Sequence, residues 1–132
     1  MYMLDTNICS YIIKQRPSEV LKKFEKVQKD QICISILTYA ELQYGVERAS
    51  SKRINQEIIE AFVDRLKILP WDMEAAQHYA KIRNYLEKQG TPIGSMDMMI
   101  ASHARSQDYT IVTNNLREFE RVPNLKLENW AK

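Results

Sequence analysis

Five apolar runs, none longer than six residues, are spread along this chain with helix-like stretches between them. They are residues 2–5, 31–36 (QICISI), 66–69 (LKIL), 109–113 (YTIVT) and the closing LKLEN at 125–129. Two strands joined by a tight turn run antiparallel, whereas strands joined through a helix return to the same direction. The alternation of short β-branched runs with helical periodicity therefore sets the fold class as α/β, with right-handed crossovers and a central, mostly parallel sheet.

The intervening helices are read from caps and apolar spacing. Residues 6–14 form one, with Thr6 as the candidate N-cap, and Pro17 stops it. Ser18 is placed to cap a helix over 18–28. Thr38 is placed to cap one running to about 48. Ile54, Ile58, Ile59, Phe62, Val63 and Leu66 have helical spacing over 53–65. Asp72 caps a helix to about 88 that Gly90 terminates, and Asp97 opens another after the loop KQGTPIG. No internal repeat or low-complexity segment interrupts the pattern, and 132 residues is the length of one ordinary domain.

Composition excludes several classes. The chain is 45% hydrophobic and 27% charged, which is globular rather than disordered. No apolar run approaches a membrane span, and the N-terminus lacks signal-peptide organisation. Cys9 and Cys33 each sit among isoleucines and read as small buried hydrophobes, not as a disulfide or metal framework. A soluble protein of the reducing cytoplasm is expected. The net charge of +2 says little about partners. Lys14, Arg16, Lys22, Lys23, Lys26 and Lys29 cluster against only Glu19 and Glu25, which reads as a solvated helix face or, more sharply, as a phosphate-contacting one.

In a parallel sheet of this kind the ligand site lies outside the carboxyl ends of the strands. Asp5 ends the first strand, Glu41 falls near the start of the helix after the second, and Asp97 opens a helix. The YTIVT strand leads to Asn114, Asn115 and, one turn on, Glu118. Each carboxylate has an ordinary reading: Asp5 and Asp97 as helix caps, Glu41 and Glu118 as solvated side chains. Jointly they converge on one sheet edge, where their mutual repulsion calls for cations. Hard oxygen donors without His or Cys favour Mg²⁺, with Mn²⁺ as the other candidate. Such a site suits phosphodiester chemistry, with Asp5 and Asp97 as direct ligands, Glu41 acting through water or as a base, and Glu118 supporting a second metal. His78 and His103 read as hydrogen-bonded helix residues, Met96, Met98 and Met99 as packing, and Trp71 and Trp130 as covers of core edges. No nucleophile elbow or glycine-rich phosphate loop is present.

Four segments carry a family resemblance, in order and over nearly the whole chain. YMLDTNICSYI, TYAELQYGVERA and GTPIGSMDMMIASHAR resemble the three acidic motifs of PIN-domain ribonucleases, and VTNNLREFERVPNLKLENW resembles the end of the VapC toxins of VapBC toxin–antitoxin modules. The resemblance implies a single PIN-like α/β/α sandwich over 1–132. It implies a metal-dependent endoribonuclease that acts on RNA, with tRNA and the initiator tRNA anticodon loop as the substrate guess. It also implies a VapB-like antitoxin, a homodimer and a toxin–antitoxin hetero-oligomer, with no membrane partner. Asp5, Glu41 and Asp97 match the family's acidic positions, and Asp5 and Asp97 its metal ligands. Thr6 and Asn7 match the polar residues expected to orient the first Asp by hydrogen bonds. One departure stands out: Asn115 occupies a place where many members carry an acid, which leaves Glu118 as the fourth acid and a second metal in question. The helices at 6–14 and 53–65 offer apolar surface for the antitoxin tail or the dimer. Two other readings of the acidic edge compete: a Mg²⁺-binding receiver-like signalling domain, and an RNA-binding module with a degenerate site. The first needs an Asp after the third strand and a Lys after a later one, where this chain has Pro70–Trp71 and two Asn.

Overall fold

The computed structural model describes residues 1–131. Strands β1 (Tyr2–Leu4), β2 (Ile32–Ser35), β3 (Lys67–Leu69), β4 (Thr110–Val112) and β5 (Lys126–Glu128) form one sheet in the order β3-β2-β1-β4-β5. Every neighbouring pair is parallel, so the sheet is wholly rather than mostly parallel. Helices α1 (Thr6–Lys14), α2 (Ser18–Lys26), α3 (Ile36–Arg48), α4 (Lys52–Val63), α5 (Met73–Gln89), α6 (Ser95–Gln107) and α7 (Leu116–Phe119) connect the strands.

Alternation along each strand divides the core in two. Leu4, Ile32, Ile34 and Val112 point to one face, where Ile8, Val20, Phe24, Leu42 and Ile59 from α1 to α4 cover them. Met3, Cys33 and Ile111 point to the other, against Ile82 and Leu86 of α5, Ile100 and Ala104 of α6, and Phe119. Side chains of period two on both faces are what a sheet buried on both sides requires. Each fully buried Leu, Ile or Met contributes about 1.5–3 kcal/mol, so the two layers hold the edges of the short strands in place. Trp130 is buried, and Trp71 is half-buried with its indole N–H donated to the Met99 carbonyl at 3.0 Å.

Several caps differ from the sequence reading. Asp5, not Thr6, caps α1, by accepting from the Ile8 N–H at 2.9 Å. Ser35, not Thr38, caps α3, through the Leu37 N–H at 3.1 Å. Pro17 precedes α2 without a side-chain cap, and Ser18 is its first residue. Asp72 does cap α5, through the Ala75 N–H, and Gly90 ends that helix in the left-handed region at φ 69°, which glycine enters without the steric cost of a Cβ.

The strand order positions the site. From β1 the chain builds outward through β2 and β3, then returns to the other side of β1 with β4 and β5. The reversal lies between β1 and β4, and the crevice beyond their carboxyl ends is where an open parallel sheet binds ligand. Asp5 follows β1 there, and Thr113 to Asn115 follow β4. No helix among the described residues is long and apolar enough to cross a membrane.

Candidate active site

Asp5 is fixed by its position. Its backbone N–H donates to the Val112 carbonyl at 3.0 Å, continuing the β1–β4 pairing by one residue. Its carboxylate takes the Ile8 N–H and lies within hydrogen-bonding reach of the Thr113 hydroxyl. Only 4% of the residue is exposed. Burial pushes its pKa up, the Thr113 and Ile8 hydrogen bonds pull it down, and the Glu41 charge adds a further push upward. Asp5 is thus both the cap of α1 and a buried carboxylate of the crevice, so its two readings are compatible.

Glu41 lies in the second turn of α3, half-buried, and the Thr6 hydroxyl donates to its Oε1. Thr6 therefore orients Glu41 rather than Asp5. Asn7 is exposed, with no side-chain hydrogen bond among the described residues, so Thr113 holds Asp5 in the role expected of Thr6 and Asn7.

Asp97 is the third residue of α6. That helix starts at Ser95 with Gly94 before it and no side-chain cap, so Asp97 is not spent on capping. It stands within hydrogen-bonding reach of Glu118, and its pKa is pushed up to about 6. Burial is the largest cause, followed by the hydrogen bond and charge of Glu118 and then by the charges of Asp5 and Glu41. A carboxylate in the first turn of a helix is normally favoured by the helix dipole; here burial and three like charges outweigh it. Glu118 is aimed by Asn115, whose side-chain amide donates to Glu118 Oε2 at 2.8 Å, while the Asn115 backbone N–H donates to Thr113 Oγ1 at 2.9 Å. The structure thus brings Asp5, Glu41, Asp97 and Glu118 to one crevice, with Thr6 and Asn115 as their hydrogen-bond partners.

The donors are all hard oxygens, the set that suits a small divalent cation. They do not form a closed cage: no group of three or more His, Cys, Asp or Glu among the described residues is set closely enough to hold a metal as it stands. The repulsion of Asp97 by Glu118, Asp5 and Glu41 is what a bound cation would offset. The Cys9 thiol, buried beside this cluster, is pushed well above its ordinary range by burial and by the Asp5 charge, so it stays neutral. The histidines are engaged elsewhere: His103 Nδ1 lies 2.9 Å from Ser35 Oγ, and His78 Nδ1 accepts from Arg105 Nε at 2.9 Å.

Thr6 and Glu41 also form the rim of a groove of about 390 Å³ between α1, α3 and α4, lined further by Ile13, Tyr44, Arg48 and Ile58. Sequence reasoning missed Thr113, which is fully buried. Its only sequence signal is a hydroxyl at the last position of the fourth strand, next to the Asn pair.

Comparison with known proteins places this geometry. Residues 2–125 match the PIN domain family model. The chain is 47% identical over 130 residues to the tRNA(fMet)-specific endonuclease VapC of Shigella flexneri, and 48% identical over 130 residues to the ribonuclease VapC2 of Haemophilus influenzae, with 98% of both chains covered in each case. Among solved structures it resembles VapBC2 of Rickettsia felis bound to a DNA fragment from its promoter, with a TM-score of 0.92, 43% identity and 98% of each chain covered.

Proposed function

The chain belongs to the PIN-domain family, among the VapC ribonucleases, and on that premise we propose that it is a metal-dependent endoribonuclease, the toxin of a toxin–antitoxin pair. The observation that carries this reading is the convergence of Asp5, Glu41, Asp97 and Glu118 at the switch point of the sheet. Asp5 and Asp97 would hold the divalent ion. Mg²⁺ is the proposed ion and Mn²⁺ its substitute, because the donors are carboxylate oxygens. When bound, the ion supplies Lewis-acid activation of water and neutralises charge at the scissile phosphate.

The side chains around it have separate tasks. Thr113 and the α1 N-terminus fix Asp5, so its oxygens do not rotate away from the crevice. Thr6 fixes Glu41, which is placed to orient the attacking water and take up its proton. Asn115 fixes Glu118 beside Asp97, and burial together with the like charges around Asp97 raises its pKa, a cost that a bound cation would offset. An uncharged Asn115 keeps the crevice less acidic than five carboxylates would make it.

The substrate we propose is tRNA, specifically initiator tRNA, in line with the name of the Shigella relative. An unpaired anticodon loop suits an open crevice, because single-stranded bases splay away from the backbone. The partner is a VapB-like antitoxin, in line with the VapBC complexes that the chain resembles. Its tail fits the groove between α1, α3 and α4, where exposed Tyr44 and Ile58 continue from the rim of the crevice. A homodimer within a cytoplasmic hetero-oligomer completes the reading. The receiver-like alternative fails on the residues after β4, which are Thr113, Asn114 and Asn115 with no lysine.

The test is incubation of the purified protein with total tRNA, with Mg²⁺ or with EDTA, beside Asp5→Asn and Asp97→Asn. Discrete cleavage that requires the metal and is lost in both variants is expected. Equal cleavage by the variants would remove the mechanism, and tight RNA binding without any cleavage would favour a binding module. Expression should halt growth, and a co-expressed antitoxin should restore it.

A further inference from the structure

The candidate active site presents four carboxylates to a polyanionic substrate, so attraction for RNA has to come from cations placed beside it. α2 supplies them. Val20 and Phe24 bury one side of this helix, and Lys22, Lys23 and Lys26 are exposed. These three lysines converge with Asn129 and Trp130 on a cleft of about 300 Å³. Glu19 and Glu128 also line it, yet none of the three lysines forms an ion pair among the described residues, where Lys52, Arg53, Arg83 and Lys126 do. Glu128 is engaged instead by the Trp130 indole, which donates to its Oε1 at 2.9 Å.

Hydrogen bonds along the carboxyl edge of the sheet link the residues of this cleft to those of the acidic crevice. The Thr113 N–H donates to the Glu128 carbonyl at 3.0 Å, so the residue that steadies Asp5 is paired with the residue that opens the cleft. Beyond them Asn129 donates to Asn114 at 3.3 Å, and Asn114 to the Tyr11 hydroxyl at 3.2 Å. These bonds make a polar ledge along the carboxyl edge of the sheet. Two strand spacings, about 10 Å, separate β1 from β5.

We propose that the α2 lysine cleft, Lys22, Lys23 and Lys26 with Asn129, binds the phosphate backbone of the RNA next to the scissile bond. The proposal rests on the ribonuclease reading above. Strands of RNA that enter the acidic crevice run across the asparagine ledge, and the lysines hold the neighbouring phosphates. An acidic segment of a protein partner is the competing occupant. RNA is favoured because the ledge leads directly to the residues that fix Asp5 and Glu118.

The test compares tRNA binding by Asp97→Asn protein with and without Lys22→Ala, Lys23→Ala and Lys26→Ala together, across a range of salt. Three lost phosphate contacts should reduce the slope of log affinity against log salt by about 2 and weaken binding roughly tenfold or more. In otherwise unchanged protein the triple variant should raise KM and leave kcat within about twofold. Lys81→Ala with Lys88→Ala, on α5 in the opposite layer, should change neither. An unchanged salt slope in the triple variant, or an equal loss in the α5 variant, overturns the proposal. So does loss of antitoxin binding with RNA binding intact, which would give the cleft to the protein partner. Failure of the unchanged protein to cleave RNA would defeat the ribonuclease reading, while the binding comparison would still decide the cleft.

Discussion

Asn115 donates its side-chain amide to Glu118 Oε2 at 2.8 Å, so the residue that brings no charge to the crevice is the one that aims a charge at Asp97. Asn115→Asp would replace a donor with a like charge beside Glu118. Without metal, repulsion and the lost hydrogen bond should cost about 1–2 kcal/mol. Added Mg²⁺ should recover most of that loss by offsetting the new charge. Thermal unfolding with and without Mg²⁺ reads both effects. The same loss in both conditions would show that Asn115 does not control the charge balance of the crevice.

Asp97→Asn should make the metal-free protein more stable while removing its activity. Asp97 has a folded-state pKa of about 6, above the 3.8 of an ordinary Asp. For a raised pKa the contribution to stability is full below the ordinary value and is lost as pH rises through the folded value. At neutral pH the wild type therefore carries a charged Asp97 that burial and its neighbours disfavour. The variant should unfold a few degrees higher there, on the order of 3 °C, and the difference should vanish near pH 4. A lower midpoint for the variant at neutral pH would mean that the helix dipole, not repulsion, dominates at Asp97.

Metal binding should release protons at mildly acid pH. Around pH 5.5 the proton on Asp97 must leave before a cation can be held, whereas near pH 8 it is already gone. Titration calorimetry in buffers of different ionisation heat should show roughly one proton released at the lower pH and almost none at the higher. Mg²⁺ affinity should fall by up to about tenfold per pH unit below 6. Release that does not depend on pH would separate the metal site from Asp97.

Much of this architecture was legible in the sequence because it depends on local rules. Short β-branched runs, Asp72, Gly90 and the apolar spacing of residues 54 to 66 each act within a few residues, and the elements they define differ from the structure by a residue or two at most ends. The cap of α3 was misplaced because Ser35 closes an alternating strand pattern, while Thr38 looks like the better start. Thr38 is instead fully buried inside the helix. The contacts that finish the site were out of reach for a different reason. Thr113 next to Asp5, Thr6 with Glu41, and Asn114 between Tyr11 and Asn129 join residues far apart in the chain. Strand order decides those meetings, and periodicity does not encode it.

Ser35 shows how such a long-range contact supports the site from below. Its hydroxyl accepts the Leu37 N–H at 3.1 Å as the cap of α3 and lies 2.9 Å from His103 Nδ1 on α6, with both side chains buried. Burial lowers the His103 pKa, so the ring is neutral at physiological pH and can share a hydrogen bond with the hydroxyl. Ser35→Ala removes a helix cap and leaves a buried ring nitrogen without its partner. The two losses together should cost about 2–3 kcal/mol. Because Ser35 sets the start of the helix that carries Glu41, kcat should also fall, by several-fold, with KM little changed. Urea unfolding measures the first effect and steady-state cleavage the second. A stability loss below about 0.5 kcal/mol, the size of an ordinary surface substitution, would show that the hydroxyl serves neither contact.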